Sequence, residues 1–223
     1  TRSCGFCSVK TGKPLATDGM EPIRTGHTVN SMNLRHVVIT SVDRDDIKND
    51  YGAEIWAETI EQIRIQAPEC TIEVLTPDFR NYAPAFEKVF KAEPDIFSHN
   101  IECVERISRQ VRPQSDWNRS LSVLQASIKW GLKTKTGMMV GLGEKDSEVL
   151  ETMQGAADLG ITIFNLGQYL QPTLKHLQVQ RYVHPDTFDM FKEKGLEMGF
   201  AVVESGPLVR SSYHADEQAM RLE

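Results

Sequence analysis

Cysteine is scarce in this 223-residue chain. Cys4, Cys7, Cys70 and Cys103 are too few and too unevenly spaced for the disulfide framework of a small secreted domain, so a reducing compartment is expected. Long apolar runs are missing as well: none approaches the roughly 20 residues of a membrane span. The first residues carry charge, Gly and Cys where a signal peptide would be apolar. An excess of positive charge is also lacking. With 31 acidic against 25 basic residues the formal charge is −6, which argues against a general nucleic-acid binder needing a basic face. No linker, low-complexity tract or repeat interrupts the chain. Hydrophobic residues at 40% suffice for a buried core, and the length fits one domain of roughly 50–250 residues. A soluble domain with neither membrane nor nucleic acid as partner is expected.

What is present is an alternation of short, β-branched apolar runs with longer amphipathic stretches, the pattern of βα units and a parallel sheet. It predicts strands over 37–40, 71–75, 96–98, 136–140, 161–166 and 201–204. Helices are predicted over 21–32, 53–66, 83–92, 102–110, 118–130, 146–159 and 186–198. Within 53–66, Ile55, Trp56, Thr59, Ile60 and Ile63 recur at helical spacing, a stripe that packs on a sheet.

Polar, unusual residues gather where strands pass into helices, the ligand end of such folds. Ser41-Val42-Asp43-Arg44-Asp45-Asp46, Thr76-Pro77-Asp78 and His99-Asn100-Ile101-Glu102 follow the first three strands. Gly141-Leu142-Gly143-Glu144 and Gly167-Gln168-Tyr169-Leu170-Gln171-Pro172 follow the next two. Singly each reads as a solvated turn or helix cap; five on one edge point to a site. Gly141-x-Gly143 lacks the third Gly of the dinucleotide fingerprint.

The remaining chemical signal is Cys4-x-x-Cys7, since Cys70 and Cys103 read as buried small hydrophobes. Such a pair serves as a redox dithiol, half a zinc site or part of an iron–sulfur loop. Zinc needs two further clustered ligands, and no second Cys-x-x-Cys or His-x-x-x-His exists. A redox dithiol opens a helix, whereas Ser8-Val9-Lys10-Thr11-Gly12-Lys13-Pro14 does not read as helix. Iron–sulfur remains, although a four-iron cluster wants at least three protein thiolates and this stretch supplies two.

Thr1-Arg2-Ser3-Cys4-Gly5-Phe6-Cys7-Ser8-Val9 resembles the tail of the radical SAM signature, Cys-x-x-x-Cys-x-aromatic-Cys. The strand-end stretches named above, Arg181-Tyr182-Val183-His184-Pro185 and Ser205-Gly206-Pro207-Leu208-Val209-Arg210-Ser211-Ser212-Tyr213-His214-Ala215 together resemble the lipoyl synthase family through nearly the whole chain. The resemblance implies a partial (β/α)6 TIM-like barrel over 1–223, with a C-terminal segment, 205–223, bearing the Arg-Ser-Ser-Tyr motif. It puts the signature's first cysteine immediately before Thr1. The family's first βα strand and three auxiliary-cluster cysteines would also lie upstream, so the chain is expected to be truncated inside its motif.

Further implications follow from the resemblance alone. Two 4Fe-4S clusters, one radical SAM and one auxiliary, and S-adenosylmethionine would insert sulfur at C6 and C8 of a protein-bound octanoyl chain. Cys4 and Cys7 would ligate the first cluster, with Phe6 shielding it, and Ser211 or Ser212 the auxiliary one. Arg210 would favour the serine alkoxide or bind a carboxylate. Asn100, Glu102, Gly141, Gly143, Glu144 and Gln168 are candidates for holding S-adenosylmethionine, and Asp43 and Arg44 for its methionyl group or the cluster surroundings. His184 and His214 read as structural hydrogen-bonding residues. Partners would be octanoylated carrier domains, of 2-oxoacid dehydrogenase E2 or glycine cleavage H protein, and an electron donor such as ferredoxin or flavodoxin. The compartment would be a bacterial cytoplasm, a mitochondrial matrix or a plastid. The competing readings are a non-catalytic scaffold of the same fold and a thiol or zinc module.

Overall fold

The structure of the protein, a computed structural model, describes residues 1–222. Glu223, the last residue of the two expected segments, lies outside them. Six strands, β1 (His36–Thr40), β2 (Thr71–Leu75), β3 (Ile96–Ser98), β4 (Lys133–Val140), β5 (Ile163–Gln168) and β6 (Val202–Gly206), form one sheet in chain order. Every neighbouring pair is parallel and the sheet is open rather than closed. Parallel neighbours need crossovers. These are supplied by α2 (Ala53–Gln66), α3 (Ala83–Lys91), the pair α4 (Glu105–Val111) and α5 (Trp117–Trp130), α6 (Asp146–Asp158) and α7 (Pro185–Glu197), while α1 (Glu21–Ser31) precedes β1. The expected α/β partial barrel is therefore present.

Period-two alternation gives the sheet two different faces. Ile72, Val74, Phe97, Phe164, Leu166 and Val203 pack outward under the helices. Each such buried side chain contributes about 1.5–3 kcal/mol. Two outer cores result, one under α1–α3 and α5 against β1–β3, the other under α4, α6 and α7 against β4–β6. The alternating inward positions are polar or small. Glu73 on β2 and Lys135 on β4 form a fully buried ion pair, Nζ to Oε2 2.9 Å, that ties the strands across β3.

A short C-terminal helix, α8 (Ala215–Met220), was absent from the sequence expectations. It lies on the concave face, where Ala219 joins Ile96, Ile163 and Val202. The strands expected over 161–166 and 201–204 run over Ile163–Gln168 and Val202–Gly206, and two other elements start three residues from where they are expected. The helix expected over 102–110 begins at Glu105, because residues up to Glu102 run beside β4: Glu102 N–H donates to Gly137 O, and Glu102 O accepts from Met139 N–H. Glu102 also has φ +67°, which no helix accommodates. The strand expected over 136–140 starts at Lys133, its polar first half being masked as loop until Lys135 finds Glu73.

Candidate active site

Residues 1–20 form no regular element before α1 and lie across the C-terminal ends of the strands. Cys7 N–H donates to Cys4 O at 3.1 Å, closing the turn that carries both thiols. Its neighbours fix it from two sides: Gly5 N–H donates to Val111 O at the end of α4, and Leu177 N–H donates back to Gly5 O.

Arg2 anchors the loop on the third side. Its guanidinium makes a bidentate bond to Asp45 (2.8 and 2.9 Å), reaches Asp78 at 2.5 Å and lies 3.3 Å from Asp43. Burial opposes charge on Arg2, but the bonds to Asp45 and Asp78 outweigh it and raise its pKa. Burial likewise works against Asp78, yet its bond to Arg2 prevails and holds the carboxyl at about 2. Asp78 also accepts from Arg80 N–H at 2.9 Å, capping a turn in which Phe79, Arg80 and Asn81 all have positive φ. Such a run costs roughly 1–2 kcal/mol per residue and persists only where surroundings impose it.

Beneath the loop is a cavity of about 530 Å³, within the range of small-molecule sites. Cys4, Phe6, Cys7, Asp43, Asn100 and Glu102 all line it, together with Arg2, Arg112 and His99. Burial pushes the Cys4 thiol up to about 11, helped by Asp43 and Glu102, and burial also raises both carboxyls. Three groups that lose by being anionic in this space gain from a cationic guest, whether iron or a sulfonium with its amino group. The donor set therefore fits an iron–sulfur cluster with a cationic cosubstrate. Among the described residues no group of three or more His, Cys, Asp or Glu converges as a metal site, so this stretch contributes two thiols.

The Arg-Ser-Ser-Tyr motif reaches the same end of the barrel. Asn100 Nδ2 donates to Ser211 Oγ at 2.7 Å, and Asn165 Nδ2 donates to Ser211 O at 3.2 Å. Ser212 is exposed, and Arg210 is exposed with Nη1 on Val209 O. This approach requires Gly167, where a Cβ would fall 2.3 Å from Val209 O.

The remaining sequence candidates do not line the cavity. Arg44 pairs with Asp46 at its rim. Glu144 accepts from Gly141 N–H (2.7 Å) and Leu142 N–H (2.9 Å) and meets Arg181 at 3.3 Å, all within its own corner. Gly141 has φ +98°, and a Cβ there would strike the Gln168 amide. Gln168 donates to Arg181 O and accepts from Val183 N–H, pinning the next loop. Gly143, at φ +111°, completes the turn. His184 caps α7 through Asp186 N–H, and His214 stacks on Tyr213.

Asp45, Asp78 and His99 were expected only as members of the polar strand-end stretches, Arg2 only as part of the cysteine motif, and Arg112 not at all. Arg2 lies inside the cysteine motif, which was the available signal; its partners lie more than forty residues away.

Residues 1–156 match the family model described as the radical SAM superfamily. Lipoyl synthase of Rubrobacter xylanophilus is 52% identical over 220 residues, covering 98% of this chain and 68% of that protein. The mitochondrial lipoyl synthase of Nematostella vectensis is 47% identical over 218 residues, covering 97% and 75%. Among solved structures, Streptococcus suis SuiB bound to S-adenosylmethionine matches with TM-score 0.72 at 10% identity. That alignment covers 91% of this chain and 46% of SuiB, under half its length, and it speaks for the fold alone. The chain therefore belongs to the lipoyl synthase family of the radical SAM superfamily, enzymes built around a 4Fe-4S cluster and S-adenosylmethionine.

Proposed function

We propose that this chain inserts sulfur at C6 and C8 of a protein-bound octanoyl chain to give lipoyl, with Cys4 and Cys7 as two thiolate ligands of the radical SAM cluster. The observation that carries the residue assignment is the Cys4–Cys7 turn, held at the C-terminal strand edge with both residues lining one cavity. When bound, the cluster and S-adenosylmethionine supply one-electron cleavage and hydrogen abstraction, chemistry that side chains lack.

The chain's own residues bind, orient and exclude water. Phe6 packs against the outer core while lining the cavity, which keeps an apolar wall beside the thiols. Asp43, Asn100 and Glu102 present acceptors for the amino and hydroxyl groups of the cosubstrate. Arg44, Gly141, Gly143, Glu144 and Gln168 act through the strand-end loops they shape.

Ser211, rather than Ser212, is the ligand of a second, auxiliary 4Fe-4S cluster. Support comes from its hydroxyl, held by Asn100 at the cavity, whereas Ser212 is exposed. An alkoxide is a weak, displaceable ligand beside thiolates, suited to a cluster that gives up sulfur. Arg210, next to it, favours the anionic oxygen.

The protein substrates are octanoylated carrier domains of 2-oxoacid dehydrogenase E2 or the glycine cleavage H protein, and ferredoxin or flavodoxin donates electrons. Among the described residues no helix is long and apolar enough to cross a membrane. A bacterial cytoplasm or an organelle matrix suits this chemistry. Anaerobic turnover of an octanoyl-lysine peptide by the full-length holoenzyme tests the reading. Thiolated product together with 5′-deoxyadenosine is expected; 5′-deoxyadenosine without any thiolated product would refute sulfur insertion.

A further inference from the structure

Arg112, at the C-terminal end of α4, is 3% exposed and lines the cavity. Its hydrogen bonds go to neutral oxygens: Nη1 donates to Asn100 O and Nη2 to Ser120 Oγ, both at 3.2 Å. Its Nε, also buried, has no partner. Among the described residues it forms no ion pair within 4.0 Å, in contrast to Arg2 in the same cavity, whose charge is met by Asp43, Asp45 and Asp78. The Glu102 carboxyl in the same cavity feels the Arg112 charge without forming an ion pair within that distance, and a buried cation met only at longer range costs free energy unless something in the working site compensates it.

Its neighbours connect it to both ends of the reaction. The preceding residue, Val111, accepts the hydrogen bond from Gly5 N–H that docks the cysteine loop. Asn100, which accepts from Arg112, donates through its side chain to Ser211 Oγ. Ser120, its other acceptor, bonds to His99 Nε2 at 3.0 Å, and His99 Nδ1 donates to Thr76 O at 2.8 Å. The guanidinium thus braces the ends of β2 and β3 and, through Asn100, the serine segment, while the backbone of the residue before it docks the cysteine loop.

We propose that Arg112 is a positioning residue: it couples the Cys4–Cys7 loop to Ser211 through Asn100, and its unpaired charge compensates the anionic thiolate cluster in the cavity. The inference rests on the functional reading above. Negative charge arriving on Cys4 and Cys7 adds, beside Glu102, an anion near a buried guanidinium that has no ion pair within 4.0 Å, and that cation in turn favours adding an electron nearby. Lys retains the charge but cannot serve two oxygens with a planar fork.

The test uses full-length holoenzyme reconstituted anaerobically, as wild type, Arg112→Met and Arg112→Lys. The radical SAM cluster's midpoint potential is followed by spin resonance, and thiolated product per 5′-deoxyadenosine is measured with an octanoyl-lysine peptide. Arg112→Met is expected to lower the potential by about 59 mV, tenfold in a one-electron equilibrium. Arg112→Lys should restore the potential yet retain a lowered product ratio. A wild-type potential in Arg112→Met would overturn the charge role, and a wild-type ratio in Arg112→Lys would overturn the coupling. Should Arg112→Met fail to fold, Arg112→Gln replaces it in the potential measurement, with the same lowered potential expected and a wild-type potential overturning the charge role. Wild type that makes neither product would instead refute the functional reading, while the potentials would still decide this inference.

Discussion

The two halves of the sheet carry the same kind of sequence signal and use it differently. At the ends of β1–β3, Asp43, Asn100 and Glu102 open onto a cavity shared with Cys4 and Cys7, and burial raises both carboxyls. At the ends of β4 and β5, Glu144 and Gln168 spend their polar atoms on Gly141, Leu142, Arg181 and Val183. A strand-end carboxylate marks a site where it opens onto the cavity and leaves its oxygens free of its own loop. Where its own loop claims them, it is a brace.

That contrast can be broken most directly at the thiols. Cys4→Ala or Cys7→Ala in the full-length protein should abolish 5′-deoxyadenosine formation, because on the proposed reading each removes a cluster ligand; iron content after reconstitution should fall in parallel. Normal 5′-deoxyadenosine from either variant would remove the first half from the chemistry.

The brace is tested by Glu144→Gln, which presents an amide N–H₂ to one of the two buried backbone donors that the carboxylate serves. An expected loss of about 2–3 kcal/mol corresponds to a Tm lower by roughly 4–12 °C in a chain of this size. S-adenosylmethionine affinity below the new Tm should change little. Lost affinity at unchanged Tm would instead make the loop part of the site.

A smaller effect is expected where the halves meet. Gly167→Ala on β5 forces Val209 away, and with it the serine bonded to Asn100 on the other half. Thiolated product per 5′-deoxyadenosine should fall in Gly167→Ala and Ser211→Ala, and less in Ser212→Ala. Equal ratios in both serine variants would dissolve the distinction between them.

The mildest signature is in pH. Burial lowers the His99 pKa from 6.5 to about 4, so its neutral form, bonded to Thr76 O and Ser120, is the folded one. Between these values the unfolded chain binds the extra proton. Stability is therefore full above about pH 6.5 and declines as pH falls towards 4, by at most about 1.4 kcal/mol per pH unit. Urea melts from pH 7 to 4.5 measure it, and His99→Gln should flatten the slope.

Much of this architecture was legible along the chain. The strands at 71–75 and 96–98 and the helix at 53–66 match their expected limits, since β-branched runs and a helical stripe are local patterns. The boundary at Glu102 was hidden because its positive φ is imposed by Gly137 and Met139 on the next strand. Six residues suffice for α8 only because Ala219 finds an apolar spot inside the barrel. Of the site, the thiols and the polar edge were readable, but their division into cavity and brace was not.

The sequence by itself determined the βα alternation, the thiol pair at one end of the chain and the Arg-Ser-Ser-Tyr segment at the other. Only the tertiary structure decided that Arg2 meets Asp45 and Asp78, that Ser211 and not Ser212 faces Asn100, and that Arg112 is buried without an ion pair. The physical reason is range. Periodicity and turn chemistry act over a few residues and are written locally, whereas a charge or hydroxyl gains its role from groups that the crossovers bring near, 43, 76 and 111 residues away in these pairs.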